Sequence, residues 1–229
     1  MVKNSVISIR KNVRHTPQPS APILPDLLIK IIKIASSLKE GPTLVCAFVV
    51  LFHTFLRQSN IAAKSSKLFD PTRNLTRGDI ALHSHHVVIT HKWSKTHQFA
   101  GPSRVINIPA IKGSILCPLR AITLMFEYIP TLTLQDPFLM FRERNHIPLS
   151  YLNRVWNQLI TSLDLPPAKY TLHGLRRGAA THLYQYDPAL KPHIKAHGMW
   201  RSDAVDLYIP TSQKIICDAM TSSITRLAP

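Results

Sequence analysis

Apolar positions Leu27, Leu28, Ile31, Ile32 and Ile34 recur at helical spacing and predict a helix starting at Asp26. Gly41-Pro42 interrupts it, and Pro42 suits the first turn of a second helix, since that turn has no use for its missing N–H. Residues 44–56 are apolar almost all round, which predicts a buried helix with the polar run Arg57-Gln58-Ser59-Asn60 emerging from its end. Between 79 and 110 the pattern changes. HHVVITH and RVINIPA are β-branched runs on either side of a polar loop, 92–103, that contains Gly101-Pro102, and they predict strands of a small antiparallel sheet. Cys117-Pro118 opens another helix through Tyr128, with Leu119, Ile122, Leu124, Met125 and Phe126 apolar. A short strand is expected at 138–141. Ser150 is expected to cap a helix over 151–163 that carries Leu152, Val155, Trp156 and Leu159. Helices near 174–186 and 188–197, a short one reaching Tyr208 and a last one around 212–222 complete the chain. The fold class is mostly α with a small antiparallel β-sheet.

Residues 1–24 mix basic residues with Pro17, Pro19 and Pro22 and read as an extended arm or linker, leaving 25–229 as one domain. Charge sharpens the picture: 28 Lys+Arg against 12 Asp+Glu give a formal net charge of +16. Such an excess favours a polyanionic partner, because each neutralised phosphate releases counterions. No stretch reaches the ~18–20 apolar residues of a membrane span, and the N-terminus lacks the apolar block of a signal peptide. Cys46, Cys117 and Cys217 are too few and scattered for a disulfide framework or zinc ribbon. An intracellular, reduced protein without a membrane partner is the expectation.

The chemistry concentrates in 171–208. His173 and Arg176 are three apart at a helix start, so they share a face and can converge on one small anion. A Gly198-x-Trp200 turn follows, and then Tyr208, a nucleophile for that anion. Taken singly, each residue has a plainer reading. Arg57 is a favourable partner for a helix C-terminus, Lys92 and Lys95 are ordinary in a polar hairpin loop, His173 is a helix-start histidine, and Tyr208 is an amphipathic core residue.

LRQSN at 56–60, WSKTHQF at 93–99, HGLRRGAAT at 173–181 and GMWRSDAVDLYI at 198–209 occur in this order. With them the chain resembles the catalytic domain of tyrosine recombinases of the phage-integrase type over roughly 25–220. Among these it looks most like the DIRS-like and Crypton-like recombinases of eukaryotic mobile elements. The resemblance implies the DNA breaking-rejoining fold, double-stranded DNA as partner, self-association into a dimer or tetramer synapse on DNA, a nuclear location and no cofactor. It implies that Arg57 and Arg176 clamp the scissile phosphate, a task suited to planar, permanently charged forks. Tyr208 would form a 3′-phosphotyrosyl bond, Lys95 would protonate the departing 5′ oxygen, and His173 and Trp200 would complete the catalytic set. Lys92, Arg177 and Arg201 would contact DNA.

Two departures favour an alternative, a decayed or domesticated domain that binds DNA without cutting it. The relatives place a His or Trp one residue after the glycine, where this chain has Met199, whose thioether donates no hydrogen bond. They also carry a separate N-terminal helical domain of about a hundred residues, which 1–24 cannot supply. Other classes fit less well. A two-metal transposase needs three gathered carboxylates, and the acidic residues here are scattered. The histidines His83, His85, His86, His91 and His97 alternate across strand faces rather than converging, and no phosphate-binding glycine loop marks an ATPase. A type IB topoisomerase shares the expected chemistry.

Overall fold

The predicted apolar stripes become helices that bury them. In the computed structural model, which describes residues 20–92, 103–199 and 213–225, α1 (Pro25–Ala35) places Pro25 in its first turn and buries Leu28, Ile31, Ile32 and Ala35. Helix α2 (Gly41–Thr54) is buried along almost its whole length and packs against α1, α4 (Pro118–Tyr128) and α6 (His173–Tyr186), which makes it the axis of the core. It stops two residues before the expected end. Phe55 turns into the left-handed region at φ 55°, and the chain re-enters a one-turn helix, α3 (Gln58–Ile61). Arg57 therefore does not end α2 but stands as the N-cap of α3. Its backbone N–H donates to Asn60 Oδ1 at 2.9 Å.

Strands β1 (Ile80–Leu82), β2 (His86–His91) and β3 (Arg104–Pro109) form an antiparallel sheet in that order, in register Val87↔Ile108, Ile89↔Ile106 and His91↔Arg104. The period-two pattern holds: Val87, Ile89 and His91 face inward opposite Ile106 and Ile108. Strand β1 is too short for alternation to reveal it in the sequence. Strand β3 packs on α4 (Pro118–Tyr128) and on α8 (Gln213–Thr225).

Three expectations need correction. Residues 138–141 make no strand; they lie in a loop held by the isolated bridges Thr76↔Pro137 and Met140↔His146. His146 there is buried, and its Nε2 accepts from the Ala63 N–H at 3.2 Å, so its ring proton sits on Nδ1. Helix α5 (Leu149–Thr161) begins after Pro148, with Ser150 already inside its first turn and making no cap. The helix expected at 188–197 is split into a 3-10 turn, Pro188–Leu190, capped by Asp187, and α7 (Lys191–Gly198). Among the described residues no helix is long and apolar enough to cross a membrane.

The end of the supposed arm is also part of the core. Residues 20–24 run extended along α6 (His173–Tyr186): Ala21 N–H donates to Lys169 O at 2.7 Å, Ile23 N–H to Gly174 O at 2.9 Å, and Ile23 is fully buried. Two glycines in HGLRRGAAT make this possible. Gly174 and Gly178 are four apart on one face of α6, and a Cβ at 178 would lie 1.8 Å from the Ile23 carbonyl oxygen. Arg176 and Arg177 project from the remaining faces. We therefore predict that Gly178→Ala, colliding with backbone rather than a yielding side chain, costs about 3 kcal/mol in urea unfolding. Gly113→Ala, at φ 78° with nothing within 4 Å of the added Cβ, should cost only about 1 kcal/mol. Equal costs would show that segment 20–24 moves aside freely.

Candidate active site

Arg176 lies one turn into α6 with 3% of its surface exposed. Its Nη1 donates to the Phe55 carbonyl at 2.8 Å and its Nη2 to the Gly198 carbonyl. Both carbonyls belong to helix C-termini, of α2 and α7, where unpaired carbonyls and the negative end of the helix dipole favour a cation. The two helices end alike, in left-handed non-glycine residues, Phe55 and Met199, at φ 55° and 53°. Burial, together with the charges of Arg57 and Arg104, lowers Arg176 to about 10, so it stays protonated at neutral pH.

Arg104, the first residue of β3, reaches the neighbouring carbonyl of the same turn. Its Nη2 donates to His197 O at 2.7 Å, while its Nη1 is shielded from solvent with no hydrogen-bond partner among the described residues. Burial lowers Arg104 to about 10 as well. Beneath both guanidiniums His197 is fully buried. Its Nε2 bonds the His53 carbonyl at 3.2 Å and must therefore carry the proton, and its ring meets Phe55 edge-on at 4.8 Å. Burial first, then Arg104, pushes His197 down to about 3. His53, buried and bonded through Nε2 to Leu116 O at 2.9 Å, falls to about 4 for the same leading reason.

On the solvent side, exposed His173 starts α6. Partial desolvation, followed by the charges of Arg176, Arg177 and Arg57, holds its imidazole below the usual range. Arg57, more than a hundred residues away in sequence, is thus brought within electrostatic reach of both His173 and Arg176. Among the described residues no carboxylate pairs with Arg57, Arg104 or Arg177. Three arginines of this kind around Arg176 make a strongly anion-attracting site.

Lys92 is placed otherwise. Its ammonium is paired with Asp79 at 2.8 Å and donates to Pro71 O at 3.1 Å, which ties β2 to the turn at Arg77–Asp79. Lys95, Trp200, Arg201 and Tyr208 lie outside the described residues. Among the described residues no three His, Cys, Asp or Glu side chains are grouped to hold a metal ion; His83 and His86 stack ring on ring at 4.4 Å. The sequence reading missed Arg104, His53 and His197. Arg104 had a signal, since it shares the inward parity of Ile106 and Ile108, where an unpaired charge is out of place.

The backbone as a whole matches three solved DNA complexes. An XerH site-specific recombinase bound to difH substrate before cleavage matches 82% of this chain and 50% of its own, with TM-score 0.56 and 18% identity. The post-cleavage XerH complex on palindromic difH matches 94% and 54%, with TM-score 0.56 and 16% identity. A lambda integrase dimer on a COC′ core site matches 93% and 52%, with TM-score 0.54 and 15% identity. The fold is that of a tyrosine recombinase catalytic domain. The chain spans about half the length of each of these three recombinase chains. No protein-family model matches it, and no curated protein matches its sequence.

The buried imidazoles of this recombinase fold make its stability pH-dependent. His53, His146 and His197 are depressed in the folded state to about 4, 4 and 3. The unfolded chain takes up their protons near pH 6.5, so stability is full above that value and is lost as pH falls toward 4. Each should cost roughly 2 kcal/mol at pH 5. Urea midpoints at pH 7.5 and pH 5 should therefore differ steeply; a flat profile would mean that these rings are solvated.

Proposed function

We propose that this chain is the catalytic part of a site-specific DNA recombinase of a eukaryotic mobile element, DIRS-like or Crypton-like, that cuts and rejoins DNA through a 3′-phosphotyrosyl intermediate. The observation that carries this reading is the convergence of Arg57 with His173, Arg176 and Arg177 across more than a hundred residues of chain. The net charge of +16 and the DNA-bound state of the three solved neighbours support duplex DNA as the partner.

In this mechanism Arg57 and Arg176 stabilise the added negative charge of the pentacoordinate phosphorus, the largest contribution available to a preorganised site. Tyr208 Oη gives up its proton and attacks phosphorus while the bond to the 5′ oxygen breaks. Lys95 supplies the proton that the departing oxygen takes. Products are a 3′-phosphotyrosine and a free 5′ hydroxyl, and the reverse attack by a 5′ hydroxyl from another strand rejoins the chain. His173, whose imidazole is held largely neutral among three arginines, is suited to hydrogen-bond the phosphate or take the tyrosine proton. Trp200 completes the set, with Arg177 and Arg201 on flanking phosphates. Lys95 is preferred to Lys92 as the acid because the Lys92 ammonium is held by Asp79. A chain of this kind works in the nucleus as a dimer or tetramer on DNA. Met199 favours a second reading, the same cationic site binding DNA without cleaving it.

A nicked duplex library, randomised around the nick so that the cleaved fragment diffuses away, separates the two readings. Wild type should accumulate a covalent protein–DNA complex that maps to Tyr208. Tyr208→Phe should abolish it with duplex affinity unchanged, and Arg176→Lys should lower its rate at least a hundredfold, because the charge survives but the fork does not. Absence of any covalent complex in wild type would leave the binding-only reading.

A further inference from the structure

The position directly after Gly198 offers a phosphate no donor, the Trp200 of the proposed set standing one residue further on. The residue after Gly198 is Met199, held at φ 53° as the cap of α7, and its thioether cannot donate to a nonbridging oxygen. Arg104 stands at that same turn. It bonds the carbonyl of His197 while Arg176 bonds the carbonyl of Gly198, so two guanidiniums from different elements sit on consecutive peptide groups immediately before Met199. Only one arm of the Arg104 fork is used. The other, Nη1, is withdrawn from water and has no acceptor among the described residues, an arrangement that is unfavourable when nothing completes it.

We infer that Arg104 is a third guanidinium of the phosphate site, donating from Nη1 to the nonbridging oxygen for which Met199 offers no hydrogen bond. The inference rests on the recombinase reading and deepens it. A purely structural clamp on His197 O needs one donor, which a lysine or glutamine supplies. A fork with one arm spent on the turn and one left over is suited to hold a second oxygen in a fixed relation to that turn. The charge of Arg104 also reaches Arg176, which places the two cations in one field and makes their neutralisation by a shared anion favourable.

Orthovanadate, which adopts the pentacoordinate geometry of the transition state, is the probe. Its affinity is read from the rise in melting temperature with concentration, beside covalent-complex formation on the nicked library. Arg104→Ala should weaken vanadate binding about ten- to a hundredfold, the value of one hydrogen bond between charged groups, and slow covalent-complex formation comparably. Arg104→Lys keeps the charge and the clamp on His197 O, yet should show the same weakening. It therefore serves if the alanine variant folds poorly. Met199→His, a residue that tolerates positive φ better than most, should restore about tenfold of both losses in either background, because it returns a donor to the vacant position. Vanadate affinity unchanged in Arg104→Ala would overturn the inference and leave the recombinase reading intact. A loss that Met199→His does not restore would also overturn it, reducing Arg104 to a clamp on α7. No vanadate stabilisation and no covalent complex in wild type would remove the phosphate site itself.

Discussion

The guanidinium of Arg176, bonded at once to the last carbonyls of α2 and α7, is the interaction on which the geometry of the site depends. Helix α2 is the axis of the core, and α7 is the element that leads toward Trp200 and Tyr208. One side chain thus fixes the end of the most buried helix against the last turn of α7. Burying a guanidinium costs several kcal/mol in lost hydration. Two charge-assisted hydrogen bonds return about 1.5–3 kcal/mol each, and two helix C-termini add about 0.3–1 kcal/mol apiece. Gain and cost are of the same size, so Arg176 is held without a large surplus, and an arriving anion still improves its surroundings.

The same logic explains why the layer beneath Arg176 is histidine rather than carboxylate. A buried Asp or Glu there would neutralise the cation permanently and compete with a phosphate. His197 instead presents a neutral ring, kept so by burial and by Arg104, and spends its N–H on the His53 carbonyl. That bond joins the C-terminal turns of α2 and α7 without cancelling any charge. The consequence is a site that keeps its positive charge, with exposed His173 within reach of it.

Much of this was legible in the sequence, and the limits have physical causes. Helices α1, α2 and α4 were readable because each carries a continuous apolar face, and the β2–β3 pair because β-branched alternation survives in six-residue strands. Arg57, His173 and Arg176 were readable as a set only through their motifs, since no local pattern relates residue 57 to residue 176. Strand β1 escaped because three residues carry no periodicity. The end of the arm escaped because its burial is decided by two glycines some 150 residues later, which were read as part of a chemical motif and not as a groove. Ser150 failed as a cap because Pro148 had already set the helix start.

The two left-handed caps show what the fold gives up to aim its carbonyls. A left-handed backbone costs an L-residue about 1–2 kcal/mol, and glycine would avoid most of that at either Phe55 or Met199. At Phe55 the side chain answers for the cost: its ring lies edge-on to His197 at 4.8 Å and is almost wholly buried, so a glycine there would relax the turn and open a cavity over the histidine. Met199, by contrast, is only partly buried. The strain at Phe55 is therefore compensated by core packing. At Met199 the turn sets the direction of the Gly198 carbonyl toward Arg176. Of the two turns, the first is bound to the core, while the second serves the guanidinium of Arg176.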